Sequence, residues 1–385
     1  MRVCGVICEY DPFHNGHAYH LDRLREGCDF IACAMSGHFT QRGHPALVSK
    51  WARAEMALRC GADAVFELPT LFAVRSAEGF ARGGVALLSS LGVVTHLGFG
   101  SETGDLDALG KAAGRAVEPD VLRMGLEQGM TLARAMGEAG GLQRDAPNDT
   151  LAVEYLRAIR GLKVPIEPVA IRREGAGHHD SVLGGMASAT AVRAAIRRGE
   201  DVTAAMPAPA HGILIRLLET GLYQRDGGLD GPLLAMLRAM PPESLAEIAD
   251  VSEGLEHRIL RAAQEATGRE SLLAMVKCKR YIHTRLSRVL TQAMLGITKT
   301  LVHEYPLPTY ARLLGFRAGA RPLLNAIQRN AAVPIVTRAA KFRPVGDEVF
   351  ALELRAGDLW ALGQKDVGGR KGHMDMREKV VIVEA

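Results

Sequence analysis

Five short, largely apolar runs recur in the amino-terminal half of the chain, at Val3–Cys8, Phe30–Met35, Ala64–Leu68, Val93–Gly98 and Ile166–Ile171. Their apolarity is continuous rather than alternating, which suits strands covered on both faces. The stretches between them, including His17–Glu26, Lys50–Arg59 and Ala77–Leu88, carry apolar residues at helical spacing. That alternation predicts an α/β fold, a doubly wound, Rossmann-like parallel sheet with right-handed crossovers. Ligands of such sheets bind beyond the carboxyl ends of the strands. Polar residues collect at those ends: the loop from Glu9 to His17, Ser36-Gly37-His38, Glu67, and Gly98 to Glu102.

The pattern changes near residue 206, where a helical region broken by Gly and Pro clusters begins. The expected division is a catalytic α/β domain over 1–205, a second, mainly α-helical domain over 206–335, and a β-containing extension over 336–385. Within the extension, Glu348–Leu354 and Lys379–Glu384 read as strands and Gly363–His373 as a loop. A chain of 385 residues fits more than one ordinary domain. The formal charge of +4 permits an acidic partner without requiring one. There is no signal-peptide layout and no apolar run of membrane-spanning length, so the cytosol is expected. None of the six cysteines forms a Cys-x-x-Cys pair, which argues for buried free thiols over a zinc site.

The chemistry is concentrated where the first strand hands over to the first helix, in Glu9-Tyr10-Asp11-Pro12-Phe13-His14-Asn15-Gly16-His17. Asn15 reads as the helix N-cap, and Gly16 leaves room for a bulky group beside the backbone. A helix N-terminus presents free N–H groups and positive dipole, the usual setting for a phosphate. His14 and His17, three residues apart, can both face one triphosphate and neutralise charge that grows during attack on its α-phosphorus. Such nucleotidyl transfer needs positioning and electrostatics rather than an enzyme nucleophile. In isolation, His-x-x-His would read as two ordinary surface histidines; its place after the first strand changes that.

A second element, Ala187-Ser188-Ala189-Thr190-Ala191-Val192-Arg193, resembles the Ser-Ser-Thr-x-Ile-Arg signature of the HIGH-type nucleotidyltransferase superfamily, to which the histidine run is also similar. Within that superfamily the chain resembles the tRNA(Met) cytidine acetate ligase family. The resemblance is carried by the Glu9–His17 run, by Met35–Gly43, Lys50–Met56, Phe99–Glu102, Pro147–Asp149, Arg173–Asp180, and by Lys279–Tyr281 with Thr284–Leu286. It departs at Asp11, where the family usually has Asn, and at His178, where Tyr is common. Asp11 places a negative charge near the phosphates unless a cation pairs with it.

The resemblance implies a two-step ligase. Acetate attacks the α-phosphorus of ATP to give acetyl-adenylate, and the 4-amino group of the wobble cytidine of elongator tRNA(Met) then takes the acetyl group. It implies that His14 and His17 are catalytic. ATP contacts are implied at Ile7, Cys8, Glu9, Tyr10, Asp11, Phe13, Asn15, Gly16, His20, Gly100, Asn148, Arg173, Ser188, Thr190 and Arg193. Mg2+ is expected with the ATP phosphates; no protein metal ligand is assigned. For tRNA, Lys277, Arg280, Tyr281, Thr284 and Arg288 follow helical spacing and predict one basic face, thickened by Lys279, Arg285 and Lys299, with Tyr281 expected to stack on a base. Composition alone would read this face as merely solvated; the resemblance favours RNA. Gln41, Arg42, Lys50 and Arg53 are further RNA candidates. Alternatives are a cofactor adenylyltransferase, an acyl-adenylate ligase with a small amine acceptor, and an RNA-binding protein with an inactive nucleotide pocket.

Overall fold

The computed structural model describes residues 1–115, 146–173, 186–252, 254–278, 281–344 and 346–384. The apolar runs become parallel strands β1 (Val3–Cys8), β2 (Phe30–Ser36), β3 (Ala64–Leu68), β4 (His96–Ser101) and β5 (Glu167–Arg172). The fourth begins three residues later than the apolarity suggested, because Val93 and Val94 lie in the connection before the strand. Their order is β5-β4-β1-β2-β3. This is the doubly wound arrangement, with its switch point between β1 and β4.

Alternate β1 residues serve two cores. Val3 and Ile7 pack with the helices Ala77–Ser90 and Pro147–Leu162, while Cys4, Val6 and Cys8 pack with Asn15–Arg25, Lys50–Arg59 and Ala189–Arg197. Covering on both faces is the physical reason the strands show no polar alternation. Close packing needs glycine on β4. A Cβ on Gly98 would stand 2.4 Å from Leu24 Cδ1, so the first helix lies directly on the strand.

The remaining strands come from beyond the α/β unit. β6 (Ala311–Arg317) pairs antiparallel with β3. β7 (Ile335–Val336) and β8 (Val381–Val383) each pair parallel with β6. The region expected to be helical up to residue 335 therefore sends a strand back into the main sheet. Its helices include Ala208–Thr220, Asp230–Ala239, Leu255–Glu265, Arg269–Val276 and His283–Leu295. Among the described residues, no helix is long and apolar enough to cross a membrane.

One expectation for the extension fails. Glu348–Leu362 is a helix, not a strand. Asp347 caps it by accepting from Phe350 N at 3.0 Å, and Val349, Leu352, Ala356 and Trp360 are buried at helical spacing. The start of that run fits both periods, and its full length decides for the helix. Lys379–Glu384 does contribute a strand, β8.

A buried ion cluster holds this extension against the sheet. Lys50 Nζ lies 2.5 Å from both Glu67 and Asp375 and 3.5 Å from Glu353, and Arg312 pairs with Glu67 and Asp375. Glu353 also accepts from Thr70 N at 2.7 Å. Burial, together with the adjacent Glu353, pushes the Glu67 carboxyl up to about 7. His38 is wholly buried and stacks on Trp360 at 4.6 Å between ring centroids. Glu67 and His38, expected at the ligand-binding edge, thus belong to an internal seam under the carboxyl-terminal segment.

Candidate nucleotide-binding site

The carboxyl ends of β1 and β4 frame a cavity of about 340 Å³ at the switch point. After β1 the chain turns through Tyr10, at φ 49°, and a cis Asp11–Pro12 bond before entering the first helix. The helix N-cap is His14, not Asn15. His14 Nδ1 accepts from Gly16 N at 3.0 Å, and His17 Nδ1 accepts from His14 N at 3.3 Å. This reciprocal cap satisfies two N–H groups of the helix start with imidazole nitrogens in place of the usual oxygens. The two rings stack 3.7 Å apart, and Tyr10 packs on His17 at 4.8 Å.

Burial drives the His14 pKa down to about 3, and Arg173 and Arg193 add to the effect. His17 is lowered well below the ordinary imidazole value by burial, then by His14, Arg173 and His20. His20 falls to about 4 from burial and Arg173. At neutral pH these rings are uncharged. Because both His14 and His17 use Nδ1 as an acceptor, each carries its proton on Nε2. The rings are therefore oriented neutral donors, and the arginines that line the cavity, Arg173 and Arg193 among them, bring its positive charge. A polyanion in the cavity would itself favour ring protonation.

Of the residues anticipated for ATP, Ile7, Cys8, Glu9, Tyr10, Asp11, His14, Gly16, His17, His20, Gly100, Asn148, Arg173 and Arg193 line the cavity. His20 Nε2 is buried there with no hydrogen-bond partner among the described residues. Asn148 opens the helix Pro147–Leu162 and donates from Nδ2 to Glu102 Oε1 at 2.5 Å. Glu102 Oε2 accepts from Asp149 N at 2.7 Å, locking that helix start to the end of β4. Arg173 N donates to Ser101 O at 2.9 Å, which sets the arginine at the cavity.

Four anticipated contacts are used elsewhere. Phe13 is fully buried in the core beneath the first helix. Asn15 Nδ2 donates to Ala204 O at 2.9 Å. Ser188 Oγ caps the helix Ala189–Arg197 by accepting from Ala191 N at 3.2 Å. Thr190 Oγ1 accepts from Arg193 Nη2 at 3.3 Å. The hydroxyls of the second motif thus shape its helix and arginine, and the arginine reaches the cavity. Arg193 Nη1 also donates to Asp11 O and lies 3.4 Å from Asp11 Oδ2. Asp11 is therefore paired, and its Oδ1 accepts from Leu47 N at 2.7 Å.

Sequence reasoning passed over Phe80, Tyr155 and Arg172, which also line the cavity. Phe80 and Tyr155 are buried at helical spacing and look like any core aromatic; no local signal separates cavity wall from core. Among the RNA candidates, Gln41 and Arg42 line the cavity, whereas Lys50 and Arg53 are fully buried and unavailable to RNA. Arg53 instead ties strand ends together, donating to Glu9 O at 2.6 Å, to Ser36 O at 3.1 Å and to Gly37 O.

The single basic helix face is also corrected. Lys277 follows the end of Arg269–Val276 in extended backbone, and the next helix starts at His283. Tyr281 is buried and its ring is covered by Arg285 at 5.5 Å, so it offers no open stacking surface. Arg285 donates to Asp250 O and Ser252 Oγ, and Arg288 Nε lies 3.2 Å from Asp250 Oδ2. The spacing assumed one continuous helix where there are two. Lys279, Arg280 and His178 lie outside the described residues.

A family model described as HIGH Nucleotidyl Transferase matches residues 1–375. A tRNA(Met) cytidine acetate ligase of Acetivibrio thermocellus is 35% identical, with both chains covered in full. The chain belongs to the tRNA(Met) cytidine acetate ligase family. A relative of the same name from Syntrophomonas wolfei is 38% identical over 94% of this chain and 95% of its own. Among solved structures, Thermotoga maritima TmcAL bound with alpha-thio ATP superposes with a TM-score of 0.90 at 32% identity, over 100% of both chains. That likeness covers the extension of this ligase-family chain as well as its α/β unit.

Proposed function

We propose that this chain joins acetate to the 4-amino group of the wobble cytidine of elongator tRNA(Met), using ATP and releasing AMP and pyrophosphate. The observation that carries the reading is the capped helix start at the β1/β4 switch point, where the two neutral imidazole donors share one cavity with Arg42, Arg172, Arg173 and Arg193. In the first step an acetate oxygen bonds to the α-phosphorus and the bond to pyrophosphate breaks. His14 and His17, through Nε2–H, stabilise charge developing on the phosphate oxygens, and Arg173 and Arg193 hold the triphosphate. In the second step the cytidine amine attacks the acetyl carbon, loses a proton, and AMP leaves with the former acetate oxygen. A mixed anhydride hydrolyses readily, so the cavity has to exclude water until the amine arrives.

Magnesium fits this site through the nucleotide rather than through a protein cage. The acids lining the cavity, Glu9 and Asp11, are already engaged by Gln41 N and by Leu47 N with Arg193. Among the described residues no cluster of three or more metal-ligating side chains is present. Phosphate oxygens and water would supply most of its octahedron. For tRNA, Lys277 is exposed, whereas Arg285 and Arg288 are held by internal pairing, so Lys277 is the described candidate best placed to meet RNA. ATP–pyrophosphate exchange tests the reading. It is expected to require acetate, with acetate label then passing to tRNA. Exchange driven instead by a mononucleotide or phosphopantetheine acceptor would replace the proposal with a cofactor adenylyltransferase. Binding of tRNA without any exchange would leave an inactive pocket.

A further inference from the structure

We infer that Arg269, in the helical region and outside the cavity, is a positioning residue for adenylation, acting through the turn that carries Gln41 and Arg42. The inference rests on the reading of the cavity as the ATP site. Gly43 N donates to Thr40 O and Thr40 N to His44 O, each at 2.9 Å, which closes a tight hairpin turn with Gln41 and Arg42 at its centre. Both central residues line the cavity. Gln41 N donates to Glu9 Oε1 at 2.6 Å, and Gln41 Nε2 donates to Arg75 O at 2.9 Å. The turn therefore sets one wall of the cavity and the placement of the Glu9 carboxylate.

Its outer end is gripped from the helical region. Arg269 Nη2 reaches Gly43 O and Ser287 O at 2.5 Å, with Thr291 Oγ1 at 2.8 Å. Thr291 Oγ1 itself donates to Gly43 O at 2.6 Å. Gly43 has φ +75°, and a Cβ there would stand 2.6 Å from Ser287 O, so the turn and the helix His283–Leu295 are in direct backbone contact. A guanidinium buried at such a seam, where its donors meet carbonyls of two segments, fixes their relative position more tightly than apolar packing can. Among the described residues, neither Arg269 nor its partners Gly43, Ser287 and Thr291 line the cavity, whereas the turn does, so the turn is the route by which Arg269 acts on nucleotide.

The test compares Arg269→Met, Arg269→Lys, Thr291→Val and Arg238→Met in full-length protein by acetate-dependent ATP–pyrophosphate exchange and by thermal unfolding. Arg238 bonds Ala263 O and Ala266 O within the helical region rather than the turn, so its loss serves as a stability control. The expected result is an ATP KM raised roughly tenfold or more in Arg269→Met, as a misplaced wall loosens the site. Partial restoration is expected in Arg269→Lys, with a smaller rise in Thr291→Val. KM does not depend on the fraction of enzyme folded, so Arg238→Met is expected to lower Tm and leave KM unchanged. Should Arg269→Met fail to fold, Thr291→Val decides by itself. An unchanged KM in the Arg269 and Thr291 variants, with wild-type exchange intact, overturns the inference alone. Absence of exchange in the wild type overturns the functional reading beneath it.

Discussion

His17 has two nitrogens with separate tasks, and two substitutions can pull them apart. Its Nδ1 accepts from His14 N at 3.3 Å, which puts the proton on Nε2, the donor that the proposed mechanism aims at the nucleotide. In His17→Asn the amide oxygen lies the same number of bonds from Cβ as Nδ1, so the cap can persist while the outer donor is gone. In His17→Gln the amide nitrogen matches the reach of Nε2, so the donor can persist while the cap is lost. Removing one preorganised donor to a developing oxyanion costs about 10²–10³ in kcat, or about 3–4 kcal/mol. A lost N-terminal cap costs about 1 kcal/mol of stability, which in a chain of this size lowers Tm by about 2 °C. The expected pattern is crossed. Asn keeps Tm and loses exchange by roughly 100-fold or more, whereas Gln loses about 2 °C and keeps exchange within roughly tenfold. Calorimetry and acetate-dependent exchange on the same preparations read both axes. If Asn retains near wild-type exchange, or if both variants lose rate and stability in parallel, the two-nitrogen division is wrong.

Asp11→Asn keeps an oxygen for Leu47 N but releases Arg193 from its ion pair; the ATP KM is expected to fall by up to about fivefold, the worth of a partly exposed pair near 1 kcal/mol, and a rise in KM would refute the competition. Gly100→Ala meets only ordinary contact with Arg173 at 3.5 Å, so stability is expected to hold while the ATP KM rises; Gly98→Ala collides with Leu24 and is expected to lose about 1–3 kcal/mol in chemical denaturation. Equal stabilities in the two variants would contradict that distinction. Lys50→Met leaves three buried carboxylates with Arg312 as their remaining cation, and a loss of about 3–5 kcal/mol is expected by urea titration; a loss below about 1 kcal/mol would show that the cluster contributes no pairing energy. The Glu67 carboxyl titrates near 7 when folded and lower when unfolded, so its contribution to stability is present at low pH and is lost as pH rises through 7. Buried neutral His14 and His38 act in the opposite sense, losing stability as pH falls below about 6.5. Glu67→Gln is therefore expected to steepen the fall in Tm between pH 8 and 5.5 by the equivalent of about 2 kcal/mol, and parallel Tm curves for variant and wild type would refute it.

What the sequence carried by itself was periodic or adjacent in the chain. Continuous apolarity marked β1, β2 and β3 because both faces of the sheet are covered, and the histidine spacing marked the helix start because cap and ligand chemistry occupy neighbouring residues. The family resemblance rested on those same local runs. Tertiary structure decided which polar group faces the cavity. Lys50 and Arg53 read as surface cations and are buried, one within an ion cluster and the other on three carbonyls. Tyr281 and Arg285 read as an RNA platform and instead cover each other. Glu353, Asp375 and Arg312 reveal nothing of their meeting with Lys50 until β6 pairs with β3 and the extension packs beside them. Apolar period is a property of one segment, but the partner of a buried charge comes from distant parts of the chain, and only packing brings the two within reach.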